Sequence, residues 1–185
     1  KLLIPVGDYL DQAYSVIQQA DGKLVLAGYS NRVGDNDYSI VRLNADGTLD
    51  TDFGTGGKLL IAVSSLTDIA YDVIQQTDGK LVLVGNSNTY NGSDSDFSII
   101  RLNADGTLDT SFGTGGKSII PVGSTWDYAR SVIQQSDGKL LVAGYSLLGV
   151  SNSFDMTVVR LHPNGLLDSS FSDPVFRIPG KVFLP

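Results

Sequence analysis

Three near-copies of one unit fill this chain, and that self-similarity restricts its fold more than any other feature. Val16-Ile17-Gln18-Gln19-Ala20-Asp21-Gly22-Lys23 recurs as Val73 to Lys80 and as Val132 to Lys139. Arg42-Leu43-Asn44-Ala45-Asp46-Gly47 recurs from Arg101 and, degraded, from Arg160. Phe53-Gly54-Thr55-Gly56-Gly57-Lys58 recurs from Phe112 and leaves a shadow at Phe171. Asp21, Asp78 and Asp137 are spaced by 57 and 59 residues, and Arg42, Arg101 and Arg160 by 59 and 59.

Each unit reads as four strands. Strand A is Tyr14 to Gln19, followed by a tight Asp21-Gly22 hairpin in which both central residues need positive φ. Strand B, Lys23 to Ser30, is a nearly continuous apolar run, as expected when both sheet faces are covered. A polar loop leads to strand C, Tyr38 to Asn44. The Asp46-Gly47 turn and a longer connection anchored by Phe53 then lead to strand D, Lys58 to Val63. No window shows apolar residues at helical spacing. A four-stranded unit cannot bury both faces alone, whereas units arranged radially cover one another. The expected fold is therefore all-β, a β-propeller-like array of four-stranded antiparallel blades. A β-solenoid is the alternative, but Asp-Gly hairpins break its parallel progression. The divisions are 7–63 for blade 1, 64–122 for blade 2 and 123–185 for blade 3 with an apolar C-terminal tail. Residues 1–6 form an orphan D strand.

The pattern Gln-Gln-x-Asp-Gly-Lys, then Arg-Leu-Asn-x-Asp-Gly-x-Leu-Asp-x-x-Phe-Gly, resembles the bacterial delta-60 repeat. The third unit departs from it. His162-Pro163-Asn164-Gly165 replaces Asn-Ala-Asp-Gly, and Gly-Thr-Gly-Gly-Lys is missing after Phe171. The resemblance implies repeats of a little under sixty residues, a propeller, and an origin in a large secreted or surface protein of bacteria. It carries over no catalytic residue.

Charge and composition exclude some functions. The net charge is −7, and all 20 acidic residues are Asp. Such a surface repels nucleic acid, whose binding needs Lys and Arg clusters. Asp with 21 Gly favours turns over helix interiors. No apolar run is long enough to span a membrane. With no Cys, disulfides and thiolate metal sites are ruled out. The chain opens at Lys1 without an initiator Met or a signal peptide, which reads as a segment of something longer.

Three blades are too few to close a ring, which typically takes four to eight. Lys1-Leu2-Leu3-Ile4-Pro5-Val6 matches Lys58 to Val63 and Lys117 to Val122, so it is a D strand without its own A, B and C. A homodimer or larger assembly would complete the ring, with this strand finishing a blade of the partner.

The A–B and C–D turns form one rim, which is monotonous. The other rim varies, through its B–C loops (Asn31 to Asp37, Asn88 to Asp96, Leu147 to Asp155) and its D–A loops. Repeat proteins bind on the variable face. Tyr9, Tyr90, Trp126, Asp127 and Tyr128 are the ligand-binding candidates there, since an aromatic ring beside a carboxylate suits a sugar. Asp35, Asp37, Asp94 and Asp96 offer oxygen ligands of the kind Ca²⁺ takes, although turn formation and solvation explain them better. Otherwise no cofactor is expected. Arg42, Arg101 and Arg160 lie on strand C between packed sheets, where an unpaired charge is costly. Asp50, Asp109 and Asp168 are their expected ion-pair partners, in a structural role. Gly113 to Ser118 superficially suggests a phosphate loop, but Ser111 stands where its first Gly belongs, and a strand follows. His162 is the only histidine. With no nucleophile motif, the expected function is a non-catalytic scaffold, adhesive or interaction module. The alternative is a lectin-like propeller that binds carbohydrate, with or without Ca²⁺. A hydrolase using two Asp is the third reading.

Overall fold

The computed structural model describes residues 1–32, 34–89, 92–147, 153–172 and 180–184. Among these are twelve strands and no α-helix, in three antiparallel four-stranded sheets, each built from one repeat. The first sheet holds β1 (Asp11–Gln18), β2 (Leu24–Arg32), β3 (Asp35–Leu43) and β4 (Lys58–Ile61) in that order. The second holds β5 (Asp68–Gln75), β6 (Leu81–Thr89), β7 (Asp94–Leu102) and β8 (Lys117–Ile120). The third holds β9 (Asp127–Gln134), β10 (Leu140–Leu147), β11 (Phe154–Leu161) and β12 (Lys181–Leu184). This is the blade array, not a solenoid: each repeat completes its own antiparallel sheet before the next begins.

The strands overrun the boundaries that apolar patterning predicts. β1 begins at Asp11 rather than Tyr14, and β2 and β3 run on to pair Asn31 with Asn36 and Arg32 with Asp35. The expected B–C loop is thus mostly a polar hairpin. A backbone ladder needs no apolar side chain, so pattern alone cannot see its solvated end.

The Asp-Gly turns also differ from the expected two-residue hairpin. Gly22 N donates to Gln19 O and Gln19 N to Lys23 O, while Gly22 has φ 86°. Ala20 and Asp21 therefore make an ordinary turn, and only Gly22 takes the left-handed conformation, forming a three-residue loop with a bulge. Asp21 Oδ1 accepts from Lys23 N, which fixes the turn from its side chain.

Each A strand carries a bulge at Tyr14, Tyr71 or Arg130, which has no partner in the register. Gly28, Gly85 and Gly144 face these bulges. A Cβ on Gly85 would lie 1.8 Å from Ile69 O, so the backbones can approach only at glycine.

Two cores lie between blades. Val25, Ala27, Tyr38, Ile40 and Phe53 of blade 1 meet Ala70, Val73, Leu81, Leu83, Ile100 and Leu102 of blade 2. Val82, Val84, Phe97, Ile99 and Phe112 of blade 2 meet Ala129, Val132, Leu140, Val142, Val159 and Leu161 of blade 3. At roughly 1.5–3 kcal/mol for each large apolar side chain buried, packing between units is the main source of stability. Each blade therefore has a trailing face, which receives the preceding blade, and a leading face, which receives the next.

Blade 3 takes its D strand from the tail, since β12 pairs Lys181 with Val159 and Leu184 with Met156. Gly180 and Lys181 are the displaced remnant of the Gly-Thr-Gly-Gly-Lys segment that follows Phe53 and Phe112 directly. Arg160 N donates to Gly180 O as Arg42 N does to Gly57 O and Arg101 N to Gly116 O. Lys1–Val6 forms no strand within the chain. Its position is nevertheless that of a D strand. Lys58 Nζ donates to Pro5 O at 2.6 Å, as Lys117 Nζ does to Ala62 O and Lys181 Nζ to Pro121 O.

Candidate functional site

On the uniform rim the strand-C arginines and the Asp residues eight positions on are brought together. Arg42 Nε lies 2.6 Å from Asp50 Oδ2, Arg101 Nε 2.8 Å from Asp109 Oδ2, and Arg160 Nε 2.8 Å from Asp168 Oδ2. Lys23, Lys80 and Lys139, each just past an A–B turn, join at 2.8, 3.2 and 3.2 Å. Each guanidinium also lies over a ring, Arg42 on Phe53 at 4.4 Å, Arg101 on Phe112 at 4.6 Å and Arg160 on Phe171 at 4.7 Å. Hydrogen bonds from Ser111 and Ser170 hold the Asp109 and Asp168 carboxyls well below the usual range, with further help from the Lys and Arg. At Asp50 the bond from Lys23 leads, and the shift is again downward.

The same arginines cross to the next blade. Arg42 Nη1 donates to Ala104 O and Arg101 Nη1 to Pro163 O, both at 2.5 Å. Gly54 N to Asp105 O and Gly113 N to Asn164 O run in parallel. The ion pairs thus belong to a latch that ties each blade to its successor. Gly113, Gly115 and Gly116 all have positive φ and lead into β8, so this segment is a turn and not a phosphate cradle.

Residues 19–53, 76–112 and 135–171 match the model of a family described as a β-propeller domain of unknown function, DUF5122. The chain belongs to this DUF5122 family. Each match starts at the A–B turn glutamine and stops on the latch phenylalanine, so the DUF5122 signature is the latch with strands B and C. This agrees with the delta-60 pattern. Comparison with curated proteins finds no match.

The variable rim of this DUF5122 chain is built around a second repeated aspartate. Asp68 Oδ2 accepts from Val63 N at 2.7 Å and Ser64 N at 2.9 Å. Asp127 accepts from Val122 N and Gly123 N, and Asp11 from Val6 N and Gly7 N. Asp127 is 1% exposed, so its carboxylate clamps the D–A loop and does not face a ligand beside Trp126. Burial dominates at Asp68 and Asp127 and raises their pKa. At Asp11, which no blade covers, burial is outweighed by the same amide donors and the pKa falls.

Asp35, Asp37, Asp94 and Asp96 lie on strands rather than in loops. Asp35 Oδ1 accepts from Asn36 N and from Thr67 Oγ1 of the next blade. Asp94 Oδ1 accepts from Ser95 N. Asp96 is 8% exposed, and burial, with the charges of Asp94 and Asp127, pushes its pKa up to about 6. Among the described residues no group of three or more His, Cys, Asp or Glu side chains is arranged to hold a metal.

The aromatic candidates separate. Tyr9 is exposed beside the N-terminal segment, far along the chain from the others, and Tyr90 lies outside the described residues. Trp126 and Tyr128 stack, with centroids 6.4 Å apart and planes at 8°. Tyr145 and Phe154 complete the patch, and Arg130 Nη2 donates to Tyr145 OH. A cleft of about 340 Å³ opens among Trp126, Tyr128, Leu147 and Phe154. Sequence reasoning missed Tyr145 and Phe154. The register signals them, because Tyr128 pairs with Tyr145 and Leu147 with Phe154, placing all on the leading face of blade 3.

Proposed function

We propose that this DUF5122 chain is a non-catalytic scaffold or adhesive module of a secreted or surface bacterial protein, needing no cofactor and completing its ring with further blades. The supporting observation is how its polar chemistry is used. Asp50, Asp109 and Asp168 are bound to Arg and Lys, and Asp11, Asp68 and Asp127 to backbone amides. Neither Asp96 nor Asp127 lines the aromatic clefts of blade 3, which speaks against a two-carboxylate hydrolase there. Among the described residues no helix is long and apolar enough to cross a membrane.

One observation favours a carbohydrate-binding alternative, the parallel stack of Trp126 on Tyr128 beside an open cleft. Flat aromatic surfaces suit sugar rings. A glycan array with and without a calcium chelator decides between the readings. Silence on every glycan supports the scaffold. Binding that is lost in Trp126→Ala supports the lectin, and loss with chelator assigns it Ca²⁺.

A further inference from the structure

Equivalent residues in the three blades differ most at the two ends of the array. On the trailing face, Val73 and Val132 are 1% and 2% exposed, whereas Val16 in blade 1 is 62% exposed. On the leading face, Tyr38 and Phe97 are fully buried, whereas Met156 at the same register in blade 3 is 63% exposed. Twice within the chain a leading face is covered by a trailing face, with the Arg-to-carbonyl and Gly-to-carbonyl bonds repeated each time. The array therefore shows how faces of this kind are covered between its own blades.

The polar latch is incomplete in the same sense. Arg160 holds Asp168, Ser170 and Phe171 as its counterparts hold theirs, but among the described residues its Nη1 has no carbonyl to match Ala104 or Pro163. The position on blade 1 equivalent to Ala104 and Pro163 is Ala45, at the same turn. A cleft of about 520 Å³ separates Leu2–Val6 from Leu26 and Val41 on the trailing face of blade 1. Elsewhere in the chain the corresponding space holds the leading-face side chains of a preceding blade.

Resting on the ring-completing reading above, we propose that the occupant is a second copy of this chain docked head to tail. The leading face of its blade 3 packs on the trailing face of blade 1, Met156 enters beside Val16, and Arg160 Nη1 reaches Ala45 O. The contact is heterologous, so the same junction can recur and close a ring. Pro5 and Val6 keep their D-strand position. Only Lys1–Ile4, which align with β12, must give way.

The test uses the full chain and its native mass by light scattering or sedimentation. Assembly to about twice the 19.7 kDa chain, or a higher multiple, is expected. Met156→Asp and Val16→Lys should each weaken it at least about tenfold, with the circular dichroism spectrum unchanged because both side chains are exposed in the single chain. Their melting temperatures should fall only by the stability that assembly itself contributes. Mixing the two variants should restore the pair. One junction is then wild type, and the other sets Asp against Lys. A wild-type monomer up to about 100 μM overturns the proposal, as does a Val16→Lys chain that assembles normally, since the trailing face of blade 1 is then not the contact. Glycan binding that competes with assembly would instead revise the scaffold reading and leave the junction standing, because the Trp126–Tyr128 cleft lies on the leading face that the junction covers.

Discussion

Arg101 of blade 2 and Pro163 of blade 3 are joined across a blade boundary, the guanidinium Nη1 donating to the carbonyl at 2.5 Å. The same guanidinium neutralises Asp109 and covers Phe112. A single side chain thus closes a turn, roofs the core and binds the next unit, and its repetition sets one geometry for successive blades.

Removing that side chain strands a carboxylate. Arg101 is 6% and Asp109 6% exposed, so Arg101→Met leaves a buried charge with only Lys80 and Ser111 beside it. Breaking a buried pair from one side costs about 3–5 kcal/mol. Arg160→Met should cost clearly less, because the Arg160 side chain is 20% exposed and latches no following blade among the described residues. Urea unfolding of the two variants in the Val16→Lys background, where no second copy is docked for Arg160 to latch, checks the order. Equal losses would show that the bond to the next blade contributes nothing.

The period of the repeat made the blades legible, and the Arg residues exposed their need for a partner because charge between packed sheets must be neutralised. Two things were hidden. The five extra residues between Phe171 and Gly180, relative to Phe53 and Gly57, concealed the remnant at Gly180-Lys181. Asp127 looked like a ligand group beside Trp126, yet its carboxylate turns inward to Val122 N and Gly123 N. A sequence gives the spacing of a polar residue but not the side of the strand on which backbone donors are left over. The aromatic patch was half visible, since Tyr145 and Phe154 join it only through the register of β9, β10 and β11.

Glycine is required at the bulges for a reason distinct from its use in turns. At Gly85 the added methyl would fall 1.8 Å from Ile69 O and 2.6 Å from Tyr38 OH, in the packed centre of the array. Gly47 has φ 87° with nothing within 4 Å, so alanine there meets only conformational strain. Gly47→Ala should cost about 1 kcal/mol, and Gly85→Ala more than about 3 kcal/mol, since two backbones must separate. Thermal melts of both proteins measure the difference. Similar melting temperatures would mean that the bulge can relax.

Asp96 provides a test in pH. Its pKa is pushed up to about 6 by burial and by Asp94 and Asp127, so ionising it disfavours the folded chain. A carboxyl with a raised folded pKa contributes stability that is complete below its unfolded pKa of 3.8 and is lost as pH rises through about 6. Asp96→Asn removes that penalty and should stabilise the protein by about 1–2 kcal/mol at pH 7.5, with little effect near pH 4. Asp50 and Asp109 act in the opposite direction. Their lowered pKa values stabilise the fold above 3.8, and that contribution disappears as pH falls. The wild-type chain should therefore lose stability on acidification below about pH 4 even though Asp96 is then protonated, and the Asn variant should follow the same acid limb. Denaturant titrations of both proteins from pH 3 to 8 resolve the two limbs, and curves that stay parallel through pH 6 would place Asp96 in contact with solvent.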